Sequence, residues 1–209
     1  MKNIRQEAFV WVQVILVTAL WAAAIFMFSP SKSLSWEAIK TLPEVVTAYA
    51  LLVLIFSQWA WRWPVFARWL VPFPDLQGTW LGTVRPTETD TPGSPRAPVP
   101  ATLVIRQNFS SISCSLYTLE SESHGTAASL QEGEEGGVVQ LNYMYLNRPR
   151  IAVRTRSEMH DGAALLSYVS KPDRGLVGEY WTSRRTTGEL RFTFHSKDVA
   201  EAFVQPPQS

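Results

Sequence analysis

The sequence predicts a membrane protein with an all-β soluble part: an N-terminal two-helix transmembrane hairpin followed by an eight-stranded antiparallel up-and-down β-barrel. Three observations carry this. Two long apolar stretches crowd the first 61 residues, the hydrophobic period switches to two after Asp75, and turn-forming clusters then recur at short spacing. Of 209 residues, 46% are hydrophobic and only 18% charged, against roughly 25% charged in average soluble chains. The net charge of +1, from 19 Lys and Arg against 18 Asp and Glu, excludes a dedicated binder of long nucleic acids, which needs a strong basic excess. A single cysteine, Cys114, excludes an internal disulfide framework and any Cys-based zinc site within a monomer.

The near-neutral total conceals two kinds of chain. Residues 1–74 carry six basic and three acidic side chains and seven of the nine tryptophans, whereas residues 75–209 carry thirteen basic and fifteen acidic ones. Ala8–Phe28 runs 21 residues without a charge, about 31 Å as a helix and enough for a hydrocarbon core of roughly 30 Å. Val45–Trp61 adds 17 residues, extended toward 20 if the helix starts at Leu42 and Pro43. Only Ser29–Glu44 separates them. The spans are thus expected at about 8–28 and 43–61, within a hairpin unit of residues 1–63. A cleaved signal peptide is the weaker reading of the first span, because the run is too long and lacks a small-x-small cleavage site. Trp59, Trp61 and Trp63, with Arg62 and Arg68, form an interfacial belt. Residues 64–74 read as an interfacial linker. Lys2, Arg5, Arg62 and Arg68 flank the outer ends against Lys32 and Lys40 in the loop, so both termini and the soluble part are expected in the cytoplasm. A free Cys114 agrees with a reducing compartment.

The soluble part is expected over residues 75–204. Its strands are read as Gln77–Arg85, Val99–Gln107, Ser111–Ser121, His124–Glu132, Gly137–Leu146, Gly162–Ser170, Gly175–Ser183 and Glu189–Ser196. Alternation is clean in Leu141/Tyr143/Tyr145 and in Leu190/Phe192/Phe194. Pro86–Pro100 reads as a mobile, solvated loop between the first two strands. Eight strands at this spacing fit a small antiparallel up-and-down barrel or a sandwich. The barrel is the favoured reading, since it removes exposed edges and leaves a filled interior or room for one small ligand.

Catalytic chemistry is not predicted. No Gly-x-Ser-x-Gly elbow, phosphate loop or His-Glu-x-x-His occurs. His124, His160 and His195 fall in different elements, and His160-Asp161 is better explained as a turn before Gly162. Cys114 alternates with Ile112 and Leu116 as a small core residue. Glu132, Glu134 and Glu135 form an acidic loop rather than a metal site. No metal and no cofactor are expected.

Binding features are more informative. Arg148, Arg150, Arg154 and Arg156 fall within nine residues after Tyr143 and Tyr145, while Trp80, Tyr180, Trp181, Arg184 and Arg185 come from other strands. Guanidinium forks beside flat rings suit phosphate and nucleobase. The plain alternative is that Tyr and Trp fill the barrel and the arginines face water. From residue type and strand position, Arg106, Arg154, Arg156 and Arg184 are candidate phosphate donors. Trp80, Tyr143, Tyr145 and Tyr180 are candidate base-stacking groups.

Several motifs add to this. The first strand reads Asp75-Leu76-Gln77-Gly78-Thr79-Trp80-Leu81-Gly82. Later come Asn142-Tyr143-x-Tyr145-x-Asn147-x-Pro149, Met159-His160-Asp161-Gly162, and Leu176-x-Gly178-x-Tyr180-Trp181-Thr182-x-Arg184-x-Thr186-x-Gly188. With the hairpin before them, they make the chain resemble the two-transmembrane, β-strand-rich effectors of bacterial CBASS anti-phage systems (SMODS-associated effectors). The Pro86–Pro100 insert departs from that pattern. The resemblance implies a minimal β-barrel receptor for a cyclic dinucleotide or cyclic oligonucleotide second messenger, made by an associated nucleotidyltransferase. It implies self-association into a homo-oligomer on activation and disruption of the bilayer of the bacterial inner membrane by clustered hairpins. Gln13, Thr18, Thr47, Ser57 and Gln58 would then supply hydrogen bonds between helices. The readings from other classes are a membrane-tethered lipocalin-like carrier of a small apolar ligand and a ligand-free interaction module.

Overall fold

Charge-free sequence from Ala8 onward becomes a single 23-residue helix, α1 (Gln6–Phe28). The computed structural model describes residues 6–28, 36–67, 69–87, 89–91, 94–132 and 138–205. Lys2, Arg5, Lys32, Arg68 and the acidic Glu134 and Glu135 lie outside the described residues. The chain divides into two units, residues 1–73 with Asn108–Ser110, and residues 74–107 with 111–209.

In the first unit a short α2 (Trp36–Ile39) precedes α3 (Leu42–Gln58). Pro43 sits in the first turn of α3, where a missing N–H removes no helical bond. The helix stops at Gln58 rather than continuing to Trp61. Two 3₁₀ turns follow, Ala60–Arg62 and Pro64–Phe66, with Trp63 extended between them because Pro64 disfavours a helical residue before it. Among the described residues α1 is the one helix long and apolar enough to cross a membrane; α3 is apolar but only 17 residues long. The two helices meet through Tyr49, whose hydroxyl donates to Gln13 Oε1 at 2.5 Å. Thr47 and Ser57 instead donate to carbonyls of their own helix, Pro43 and Leu54. A small core of Trp61, Leu70 and Val71 gathers Phe9, Val12, Phe56, Phe66 and Phe109 around it, while Trp11, Ile15, Phe26, Val46, Trp59 and Trp63 stay exposed.

The second unit is a closed antiparallel barrel of β1 (Gly78–Pro86), β4 (Val99–Gln107), β5 (Ile112–Tyr117), β6 (Ser121–Glu132), β7 (Val139–Pro149), β8 (His160–Val169), β9 (Gly175–Thr182) and β10 (Thr187–Ser196). Each barrel strand pairs with the next in sequence, and β10 closes on β1. The remaining strands, β2 (Thr89–Thr91) and β3 (Ser94–Pro95), form a separate two-stranded sheet. The insert expected to be a solvated loop thus holds regular pairing, Thr89 opposite Pro95 and Thr91 opposite Ser94.

Some boundaries differ from the sequence expectation. Strand β5 ends at Tyr117 rather than Ser121, because Thr118 N–H donates to the Ser121 carbonyl and Ser121 N–H to Thr118 Oγ1, closing a turn. Strand β7 continues through Pro149, and the last hairpin turns at Ser183–Thr186, before Thr187 enters β10.

Alternation puts Trp80, Leu103, Ile105, Cys114, Leu141, Leu166, Leu176, Leu190 and Phe192 inside, all buried. At one end the barrel is stoppered. Trp80 is fully buried, its Nε1 donates to the Leu76 carbonyl, and its ring meets Phe194 and Tyr168 edge-on. Above it the Arg174 guanidinium lies 4.0 Å from the Phe194 ring centroid and donates to the Asp75 carbonyl. On the outside, residues after β10 lie along β1 and β4. Thr79 Oγ1 bonds the Asp198 carbonyl and Ala200 N–H, and Thr102 Oγ1 bonds both the N–H and the carbonyl of Val204. Those two threonines are buried although they face outward.

Candidate ligand-binding cavity

At the end opposite Trp80 the barrel is hollow. A cavity of about 540 Å³ lies within the range of roughly 300–1,000 Å³ common for small-molecule sites. Strand register explains why it stays open. Leu141, Leu166, Gly178 and Leu190 form one cross-strand row. In the next, Tyr143 sits opposite Ala164, which faces Tyr180, which faces Gly188. Toward the mouth, Gly125, Tyr145, Gly162 and Thr182 form a third row, then Ser123, Asn147 and His160 a fourth. Each bulky ring is thus flanked by a residue with little or no side chain, a small–large alternation typical of barrel interiors.

The glycines are required by close approach. A Cβ on Gly162 would fall 2.4 Å from Tyr145 Cζ, and one on Gly188 would fall 2.6 Å from Tyr180 Cε1. Both tyrosine rings are therefore laid along the wall rather than across the cavity.

Polar groups ring the upper cavity. Ser123 Oγ donates to Asn147 Oδ1 at 2.8 Å, which leaves the Asn147 amide N–H groups as the donors of that side chain. Thr182 and Thr186 share a hydroxyl contact of 2.7 Å. His160 Nδ1 is 2.9 Å from the Glu158 carbonyl, so Nδ1 carries the proton and Nε2 is the acceptor. Burial lowers the His160 pKa from 6.5, and the nearby Arg184 pushes it the same way. At the mouth Arg156 is engaged by Glu120, and Arg184 Nη1 reaches Ser157 Oγ at 3.4 Å. Burial raises the Tyr145 hydroxyl pKa with help from Tyr180, while Arg184 opposes it. These three side chains therefore share one electrostatic neighbourhood. The turn carrying Arg184 holds Arg185 at φ 64°, a left-handed conformation uncommon outside glycine.

Five of the eight residues selected from the sequence line this cavity: Tyr143, Tyr145, Tyr180, Arg156 and Arg184. Three do not. Trp80 belongs to the stoppered end, and Arg154 is turned to its own loop, Nε donating to the Pro149 carbonyl. Arg106 lies on the outer face of β4, since its neighbours Ile105 and Gln107 are the buried, inward residues. The cavity also contains groups not selected from the sequence. Asn147 shares the face of Tyr143 and Tyr145 by period two, which was a usable signal. His160, Ser123 and Glu120 arrive through strand pairing and turns. Arg96, Ala97 and Pro98 of the insert line the mouth as well. Among the described residues no cluster of three His, Cys, Asp or Glu side chains is placed to hold a metal.

Comparison with known proteins decides the family. Residues 71–193 match the family described as Cap15, cyclic dinucleotide receptor domain. The chain belongs to the Cap15 family. The resemblance to CBASS effectors drawn from its motifs is thus a family relationship, and the matched segment runs from just before β1 into β10, spanning the whole cavity wall. A curated relative, CD-NTase-associated protein 15 of Staphylococcus schleiferi, is 26% identical over 153 residues, covering 73% of this chain and 78% of the relative. For a Cap15 receptor domain the arrangement is chemically apt. Cationic groups stand at the cavity mouth, and tyrosines with amide and imidazole groups line its wall, side chains able to pair with phosphate and to contact flat rings.

Proposed function

We propose that this Cap15 protein is a non-catalytic anti-phage effector whose barrel binds a cyclic dinucleotide in the cavity under Arg156 and Arg184. In this reading residues 1–63 form a two-pass hairpin, residues 64–74 an interfacial linker and residues 75–204 the sensing barrel. Both termini and the barrel are in the cytoplasm at the bacterial inner membrane. Ligand binding promotes self-association, and the clustered hairpins disrupt the bilayer. Ligand drives such a change only through higher affinity for the assembled state.

The observation that carries the reading is the open end of a family-matched receptor barrel: three tyrosines lining about 540 Å³, with Arg156 and Arg184 at its mouth. Isothermal titration of the full chain in detergent against cyclic di- and trinucleotides of varied base tests it. Saturable binding of at least one, weakened by added salt, is expected; no heat with any member of the panel overturns it. Release of a dye from proteoliposomes on addition of the bound nucleotide tests the membrane step separately.

A further inference from the structure

One feature of the cavity is chemically incomplete. Tyr143 is 3% exposed and lines the cavity wall, yet its hydroxyl has no hydrogen-bond partner. Among the described residues it is the one buried side-chain polar atom of the barrel left in this state, the other being the Trp61 indole N–H of the helical unit. Native structures rarely bury an unpaired polar group, because its desolvation is not repaid. Its neighbours show how consistently the rest of the site is satisfied: Ser123 bonds Asn147, and Thr182 bonds Thr186.

The ring cannot serve as a platform for a base. Only 3% of the residue is exposed, with the tilted Tyr145 ring centroid 5.7 Å away and Ala164 opposite it across the β7–β8 pair, and burial raises the hydroxyl pKa well above its ordinary value. The hydroxyl therefore stays protonated, a neutral donor and acceptor that no group among the described residues satisfies. Its row also lies deeper than the Asn147–His160 row, on the side away from Arg156 and Arg184.

We propose that the Tyr143 hydroxyl is a specificity-determining contact that hydrogen-bonds a polar edge of the nucleobase inserted deepest into the barrel. This rests on the cyclic-dinucleotide reading of the cavity and adds to it a direction: phosphates toward the mouth, one base edge down on Tyr143. A site that satisfies a buried polar group only when the right ligand is present discriminates strongly against ligands lacking the complementary atom.

The test is Tyr143→Phe in the full chain, which removes one oxygen and preserves shape. Without ligand, the variant melts at the same temperature as the parent or slightly higher, since an unpaired buried hydroxyl is lost. Its affinity for the cyclic dinucleotide that binds the parent most tightly falls by about tenfold to a hundredfold, and the preference of the parent among cyclic dinucleotides differing only in base collapses. Tyr145→Phe serves as the comparison and lowers affinity less. Equal affinity and unchanged base preference in Tyr143→Phe overturn the assignment, as does a clear drop in ligand-free melting temperature, which marks a structural hydroxyl. If the parent itself binds no cyclic nucleotide, it is the functional reading of the cavity that fails.

Discussion

Tyr145 occupies the space that any side chain on Gly162 would need: a Cβ there would lie 2.4 Å from the ring carbon Cζ and 2.5 Å from the hydroxyl oxygen. The pair is directly cross-strand between β7 and β8. Gly162→Ala is therefore expected to drive the Tyr145 ring off the wall and into the cavity. Overpacking of this kind costs about 1–3 kcal/mol, read as a melting temperature lower by several degrees. Cyclic-dinucleotide affinity should fall at least tenfold in the fraction that stays folded. A variant that melts lower but binds as tightly would show that the ligand does not use the space beside Tyr145.

Glu120 holds Arg156 at the mouth. Both side chains are more than half exposed, and exposed pairs of this kind add only about 0.2–1 kcal/mol to stability. Glu120→Gln should leave the melting temperature almost unchanged while releasing a guanidinium for the ligand phosphates. A several-fold gain in affinity is expected. Arg184→Ala should have the opposite effect, weakening binding at least tenfold and flattening its dependence on salt, because one charge-assisted contact is removed. Titrations at two ionic strengths read both outcomes. Loss of affinity in Glu120→Gln would mean the ion pair positions Arg156 rather than occupying it.

His160 is expected to make both stability and binding depend on pH. Burial and Arg184 lower its pKa from 6.5, while the bond to the Glu158 carbonyl and Asp161 oppose the shift. The folded chain therefore holds the neutral ring. As pH falls through 6.5 and then through the lowered folded value, the unfolded chain takes up the proton first and stability declines. A phosphate that pairs with Arg184 removes part of the depression and favours the imidazolium. Binding should then tighten as pH is lowered from 7.5 to 6, with proton uptake visible as a buffer-dependent heat. His160→Gln should abolish that dependence, and a parent affinity that is flat over this range would place the phosphates away from His160.

The barrel was legible because most of its strands have one wet and one dry face. Period two groups Leu141/Tyr143/Tyr145 and Leu190/Phe192/Phe194 on one face each, and strand pairing turns those faces inward. Arg106 lies on the outer face of β4, a strand on which this contrast fails. Thr102 and Val104 face outward yet are buried, and Thr102 is tied to Val204 of the segment after β10. With both faces dry, Leu103-Val104-Ile105 gives no phase from which to orient the arginine. Asn147 was legible by the same alternation that revealed Tyr143 and Tyr145. His160, Glu120 and Arg96 were not, because strand register, a turn and the paired insert bring them together, and local sequence carries none of these. The helical part shows a related limit: length and apolarity outline α1 and α3, but only the fold reveals that Thr47 and Ser57 spend their hydroxyls within their own helix.

Gln13 and Tyr49 make the corresponding prediction for the helices. Gln13 lies in the apolar stretch of α1, and its side-chain carbonyl is occupied by the Tyr49 hydroxyl of α3. In a hydrocarbon environment an amide without a partner seeks one on another helix, and such interhelical bonds average about 0.6 kcal/mol in membranes. Tyr49→Phe removes the internal partner and should raise ligand-independent association of the protein in a bilayer, measured as energy transfer between labelled copies in liposomes. Gln13→Leu removes the unsatisfied group as well, so the double variant Gln13→Leu/Tyr49→Phe should return association to the parental level or below. Equal transfer in parent and Tyr49→Phe would show that the bond does not restrain Gln13 from neighbouring copies. A double variant that associates as strongly as Tyr49→Phe would trace the effect to the ring rather than to the freed amide.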